Sequence, residues 1–113
     1  MTVTRLNPVT HVETATTLAD LGIWIDPSSG FTINTSDVFK YGDVFMCNVN
    51  IKNGSAISAF VTTKVCYMSG LKIGIITGVN YMGQVNSNGN CWITYMNSRL
   101  ANTTLDGRMI GFL

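Results

Sequence analysis

Few side chains in this sequence are of types that carry chemistry. The acids are Glu13, Asp20, Asp26, Asp37, Asp43 and Asp106, the sole histidine is His11, and the thiols are Cys47, Cys66 and Cys91. Cleaving a glycan takes two carboxylates set across a cleft. Asp26, Asp37 and Asp43 are close in sequence, but each stands in a turn context where Asp bonds to its own backbone. No Gly-x-Ser-x-Gly elbow accompanies His11, which argues against a Ser–His or Cys–His triad and leaves His11 as a plain N-terminal surface residue. Phosphate-binding loops and dinucleotide glycine motifs are also missing. These residues point away from catalysis, and no cofactor is expected.

The three cysteines form an odd set without CxxC spacing. Each sits in an apolar, strand-like run, where a free thiol behaves as a small buried hydrophobe. Buried structural thiols are therefore expected, with no metal. Trp92 is the residue best suited to binding. Beside Gln84 and Asn90 it offers an apolar face rimmed by amides, which can stack on a sugar ring and bond its hydroxyls. The competing and favoured reading buries Trp92 against a neighbouring subunit. Arg99 and Asn102, in the stretch Asn97–Asn102, supply further hydrogen-bonding groups, as does Asn53-Gly54-Ser55. Both stretches also read as ordinary polar turns.

These residues need elements to hold them. In Val44–Ile51, Phe45, Cys47, Val49 and Ile51 share one face and Asn48 and Asn50 the other, the pattern of a half-buried strand. Ile23–Ile25 is a short strand ended by the turn cluster Asp26–Gly30, and Phe31–Asn34 alternates. Lys52–Ser55 reads as the next turn. Ala59–Met68 and Leu71–Val79 follow, and the second sets Leu71, Ile73, Ile75 and Val79 on one face with Gly74 and Gly78 opposite. The hairpin around Ser87-Asn88-Gly89 has two possible registers. A three-residue loop with left-handed Gly89 pairs Val85 with Cys91 and Gln84 with Trp92. It sorts Tyr81, Gly83, Val85, Cys91, Ile93 and Tyr95 onto one face, whereas a two-residue loop mixes polar and apolar residues on both. The three-residue loop is the better register, and it points Trp92 away from the core. Asn97–Gly107 reads as a polar loop closed by Asp106-Gly107, before a final strand Arg108–Leu113. At the start, Thr10 and Glu13 fit a capping box, with Leu18, Leu21 and Gly22 completing a short helix. Thr14, Thr16 and Thr17 favour an extended arm equally well.

Short strands at this spacing predict an all-β fold, a jelly-roll-like antiparallel β-sandwich. Residues 1–22 are assigned to an anchoring arm or helix and residues 23–113 to the sandwich. Only 12% of the 113 residues are charged, about half the usual share, so the domain is expected to hide surface against copies of itself. The net charge is +1 with scattered basic residues, so nucleic acid is not an expected partner. No apolar run approaches the roughly 20 residues of a membrane span, and Met1–Arg5 lacks a signal peptide's pattern. Synthesis in a cytoplasm, without membrane insertion, is expected.

Lys40-Tyr41-Gly42-Asp43-Val44, the wet strand to Lys52, Gly83–Gly89 and the closing Gly107–Leu113 strand follow a recurrent order. Over roughly residues 30–113, a typical domain length, the chain resembles the C-terminal head domains of bacteriophage tail fibres and baseplate receptor-binding proteins. The resemblance implies a homotrimeric jelly roll, similar to the tumour-necrosis-factor and complement C1q folds, that binds host surface saccharide. It also implies a place on the virion, at the tail or capsid surface, with residues 1–22 docking on other virion proteins. A capsid decoration or short head fibre with no receptor role is the alternative. Binding loops vary too much in that family for any site residue to be carried over. The chain also departs from the family in having only some 30 residues ahead of the head, as a stand-alone component or a fragment begun at an introduced Met1.

Overall fold

The computed structural model describes residues 14–113, and the capping-box pair Thr10 and Glu13 lies outside them, as does His11. Among the described residues, nine strands form one antiparallel sheet: β1 (Thr14–Thr16), β2 (Trp24–Pro27), β3 (Phe31–Tyr41), β4 (Val44–Asn53), β5 (Thr62–Ser69), β6 (Ile73–Gly78), β7 (Tyr81–Val85), β8 (Asn90–Tyr95) and β9 (Thr103–Phe112). Their order is β1-β3-β4-β9-β6-β7-β8-β5-β2. The pairs β4·β9, β5·β8 and β6·β7 nest one inside the next, the connectivity of a rolled-up ribbon. The tight turn between β2 and β3 brings β3, near one end of the sheet, against β2 and β5 at the other. Ser28 N–H extends the β2·β5 ladder into that turn by donating to the Val65 carbonyl at 2.9 Å. The sheet is thereby nearly closed into a barrel-like sandwich.

Alternation fills the interior. On β4, Phe45, Cys47, Val49 and Ile51 are buried while Asn48 and Asn50 face out, as the sequence pattern predicts. The β7–β8 hairpin has the three-residue loop, pairing Gln84 with Trp92 and Val85 with Cys91. Gly89 takes the left-handed conformation at φ +86°. The Asn86 side-chain oxygen accepts from the backbone N–H groups of Asn88 and Asn90, which pins the loop. Within the first 22 residues, β1 pairs with β3, a single 3-10 turn spans Ala19–Leu21, and Leu18 is buried in the core. Gly22, with φ +80°, ends that turn.

The structure orients one strand and corrects two expectations. The β6 faces alternate as predicted, but the glycine face is the one turned inward. Gly74 and Ile76 are buried, whereas Ile73, Ile75 and Val79 are exposed. The space over Gly78 belongs to a ring from the next strand: a Cβ there would strike Tyr81. Asp106-Gly107 does not close a loop. Strand β9 begins at Thr103 and runs through both residues, because Thr103–Phe112 pairs continuously with β4. Asn53 belongs to β4 and not to a turn. It is fully buried, and its amide donates to the Ser55 and Leu100 carbonyls at 2.8 and 2.9 Å. The two donated bonds tie two loops together, since a buried amide N–H left unpaired would cost about 1–3 kcal/mol, while Asn53 Oδ1 has no partner among the described residues.

Candidate functional site

Cross-strand register sorts the outer face of the sheet into rows. One row reads Phe39–Met46–Ile110–Ile75–Gln84–Trp92, each residue the direct partner of the next. On one side of it lies Tyr41–Val44–Phe112–Ile73. On the other lies Ser36–Asn48–Arg108–Thr77–Met82–Thr94, followed by Asn34–Asn50–Asp106. The outer face of β3, β4, β9 and β6 thus passes from an apolar block to a polar one within two residues along each strand.

Three depressions of about 560, 450 and 470 Å³ mark this face, and Thr77 lines all of them. They join into one trough. Its polar end is made by Asn48, Asn50, Asp106 and Arg108. Its other end is made by Met82, Gln84, Trp92 and Thr94. Strand β3 bulges between Ser36 and Phe39, and Asp37 there adopts φ +51°, a conformation open to Asp more than to most residues. The Asn48 amide donates to the Asp37 carboxylate at 2.8 Å, and the Asn50 amide donates to Asp106. Each carboxylate is thus held by an amide, and Asp37, Asp106 and Arg108 line the depressions. Across the other end, the Thr62 and Thr94 hydroxyls share a hydrogen bond of 2.8 Å.

Of the residues proposed from sequence, Trp92 and Gln84 meet at the trough's β7–β8 end, with Trp92 37% exposed. Asn90 lies on the same strand face, two residues toward the hairpin tip, and is half-buried. Arg99 and Asn102 line none of the three depressions. Arg99 bridges to Ile57 through backbone bonds of 2.8 and 2.9 Å, and Asn102 N–H donates to the Asn53 carbonyl at 2.6 Å. Both hold the β8–β9 connection, and Asn53 serves the same connection as a buried tie. The polar end was missed by sequence reasoning, although the outward Asn48 and Asn50 had been recognised. Asp106 and Arg108 join them only once β9 pairs with β4, a contact between residues more than fifty positions apart.

The thiols of Cys47, Cys66 and Cys91 are buried and free. Burial pushes the Cys47 thiol up to about 12. Among the described residues, no group of three or more His, Cys, Asp or Glu side chains is placed to hold a metal ion. No described helix is long and apolar enough to cross a membrane. The trough's chemistry is that of amides, hydroxyls, one guanidinium, one indole and the carboxylates of Asp37 and Asp106. No protein-family model, no curated protein and no solved structure matches this chain.

Proposed function

We propose that this domain is a non-catalytic binding module, the receptor-binding head of a phage particle, that recognises host surface saccharide through the trough. The observation that carries the reading is the sorting of the outer face, with an indole at one end of a polar strip and amides at the other. Trp92 and Met82 supply apolar surface for the faces of sugar rings, while Thr77, Asn48, Asn50 and Arg108 bond hydroxyls. Four strand intervals separate β8 from β4, about 19 Å at the usual spacing of about 4.8 Å. That length suits an oligosaccharide better than a single sugar. The neighbouring apolar block on β3, β4, β9 and β6 is the surface on which three copies meet. One site is weak, because each neutral hydrogen bond contributes only about 1 kcal/mol net. Adhesion then depends on many copies presented together.

The test is a titration of host envelope glycan with the wild-type protein, Trp92→Ala and Asn50→Ala, with product analysis alongside. Each substitution weakens binding at least tenfold without changing the folded state. Release of shortened glycan would make the domain an enzyme. Firm binding to phage capsids with none to host envelopes would make it a capsid decoration.

A further inference from the structure

Cys66 on β5 and Cys91 on β8 are direct cross-strand partners, and both are fully buried. A register irregularity makes them so. Lys64 faces Trp92, so a regular ladder would set Val65 against Cys91 and turn Cys66 outward, opposite Asn90. The bulge inserts Val65 as the extra residue, and Cys66 turns inward onto Cys91 while Tyr67 takes the place beside Asn90. Cys91 is the neighbour that acts most strongly on the Cys66 thiol. Directly opposed residues on antiparallel strands hold their Cβ atoms about 4.5–5.5 Å apart, against about 3.5–4.5 Å in a disulfide. Closure therefore asks for a shift of about 1 Å. Cys47 sits on β4, which pairs with neither strand.

We propose that Cys66 and Cys91 are a latent cross-link site, forming an intramolecular disulfide when the protein meets a small disulfide oxidant of the glutathione class. One protein thiolate attacks a sulfur of the oxidant, breaking its S–S bond and releasing one small thiol. The second protein thiolate then attacks the mixed disulfide, forming the Cys66–Cys91 bond and releasing the second small thiol. Two protein thiols are oxidised, one oxidant disulfide is reduced to two thiols, and the two protein protons leave with them. The product staples β5 to β8 and encloses the β6–β7 hairpin in a covalent loop. The neighbouring Cys91, and then burial, raise the Cys66 thiol far above the usual range, so reaction starts from local opening and is slow in the folded state.

The experiment refolds the full chain in a glutathione redox buffer and reads the product by intact mass, peptide mapping and thermal melting. The expected product has lost two hydrogens, maps to Cys66–Cys91, keeps Cys47 free for alkylation, and melts roughly 10 °C higher than the reduced protein. Cys47→Ala still forms the bridge, and Cys91→Ser does not. Since the wild-type map alone decides the pairing, the test stands even where Cys91→Ser fails to fold. A bridge through Cys47, glutathione adducts alone, or a bridged form that melts lower would overturn the proposal.

Discussion

At the scale of single residues, the core depends on aromatic rings lying over glycines. Gly78 and Gly107 are partners on β6 and β9, and the Tyr81 ring lies against both. Gly111 gives the same room to Phe45. A methyl group at Gly107 would meet the Tyr81 hydroxyl and come within 2.7 Å of the Thr77 carbonyl. Gly107→Ala therefore destabilises the fold by roughly 1–3 kcal/mol through overpacking, read as a lower urea midpoint. Tyr81→Phe removes a buried hydroxyl with no hydrogen-bond partner among the described residues, so alone it costs less than about 1 kcal/mol. Combined with Gly107→Ala it restores part of the loss, and strict additivity would mean that the clash lies elsewhere. Burial likewise pushes Tyr81 up to about 12, with Tyr95 and Asp106 adding to it, and Cys47 reaches about 12 by burial alone. Both folded-state values exceed the ordinary values of 10.0 and 9.0. The unfolded chain thus releases these protons first as pH rises. Their stabilising contribution is whole below about pH 9 and is lost on the way to pH 12. Urea midpoints at pH 8, 9.5 and 11 should fall in that order, and a flat profile would contradict the burial of these groups.

The element most legible in the sequence is the β7–β8 hairpin, because only one register keeps Tyr81, Val85, Cys91 and Ile93 on a single face. Its loop is fixed locally, so it can be tested locally. Asn86→Ala removes the acceptor for two backbone N–H groups and costs about 1–2 kcal/mol. Gly89→Ala costs more, because φ +86° is strained for alanine and the new methyl would press on the Met68 carbonyl. Urea denaturation orders the two, and equal losses would mean that the loop, not the packing beneath it, sets the cost. Strand β4 was legible for the same reason as the hairpin. On β6, period-two alternation gave the two faces but not which one is inside, since Leu71 and Val85 fill the inner space over Gly74 and Tyr81 fills it over Gly78. On β9, polar Thr103–Arg108 looks like a loop in isolation and becomes a strand only by pairing with β4. Because β9 also carries Asp106 and Arg108, the error hid half of the trough. Trp92 and Gln84 could be placed because their contact is local to one hairpin. Arg99 and Asn102 could not, because their role comes from Asn53 and Ile57, some 45 residues earlier in the chain.

At the scale of the whole molecule, a low charge and a sorted surface belong together. With only 12% charged residues, the domain keeps little repulsion between copies. Met46, Ile73, Ile75, Ile110 and Phe112 are all exposed, and they are contiguous across β4, β9 and β6. Lone exposed apolar residues are ordinary, whereas a connected block of this kind is the surface that the proposed trimer would use. Met46, Ile75 and Ile110 also line one of the three depressions, so copies meeting on the block would cover that part of the trough and leave open its polar end at Asn50, Asp106 and Gly107. The expected state is a homotrimer at micromolar concentration, measured by light scattering. Ile110 lies in the middle of the block, between Met46 and Ile75. Ile110→Lys sets a charge there and should give monomers, while the urea midpoint of the single domain changes little because the residue is 45% exposed. Thr104→Lys, on the same strand but at the polar end beside Lys52, should leave the trimer whole. Apolar contact is insensitive to screening, so raising sodium chloride should not dissociate the assembly, and sulfate should tighten it. A wild-type protein that stays monomeric, or a trimer unaffected by Ile110→Lys, would remove the apolar block from the interface. In the first case the sites would act singly, and binding to a multivalent glycan would be no tighter than binding to a soluble one.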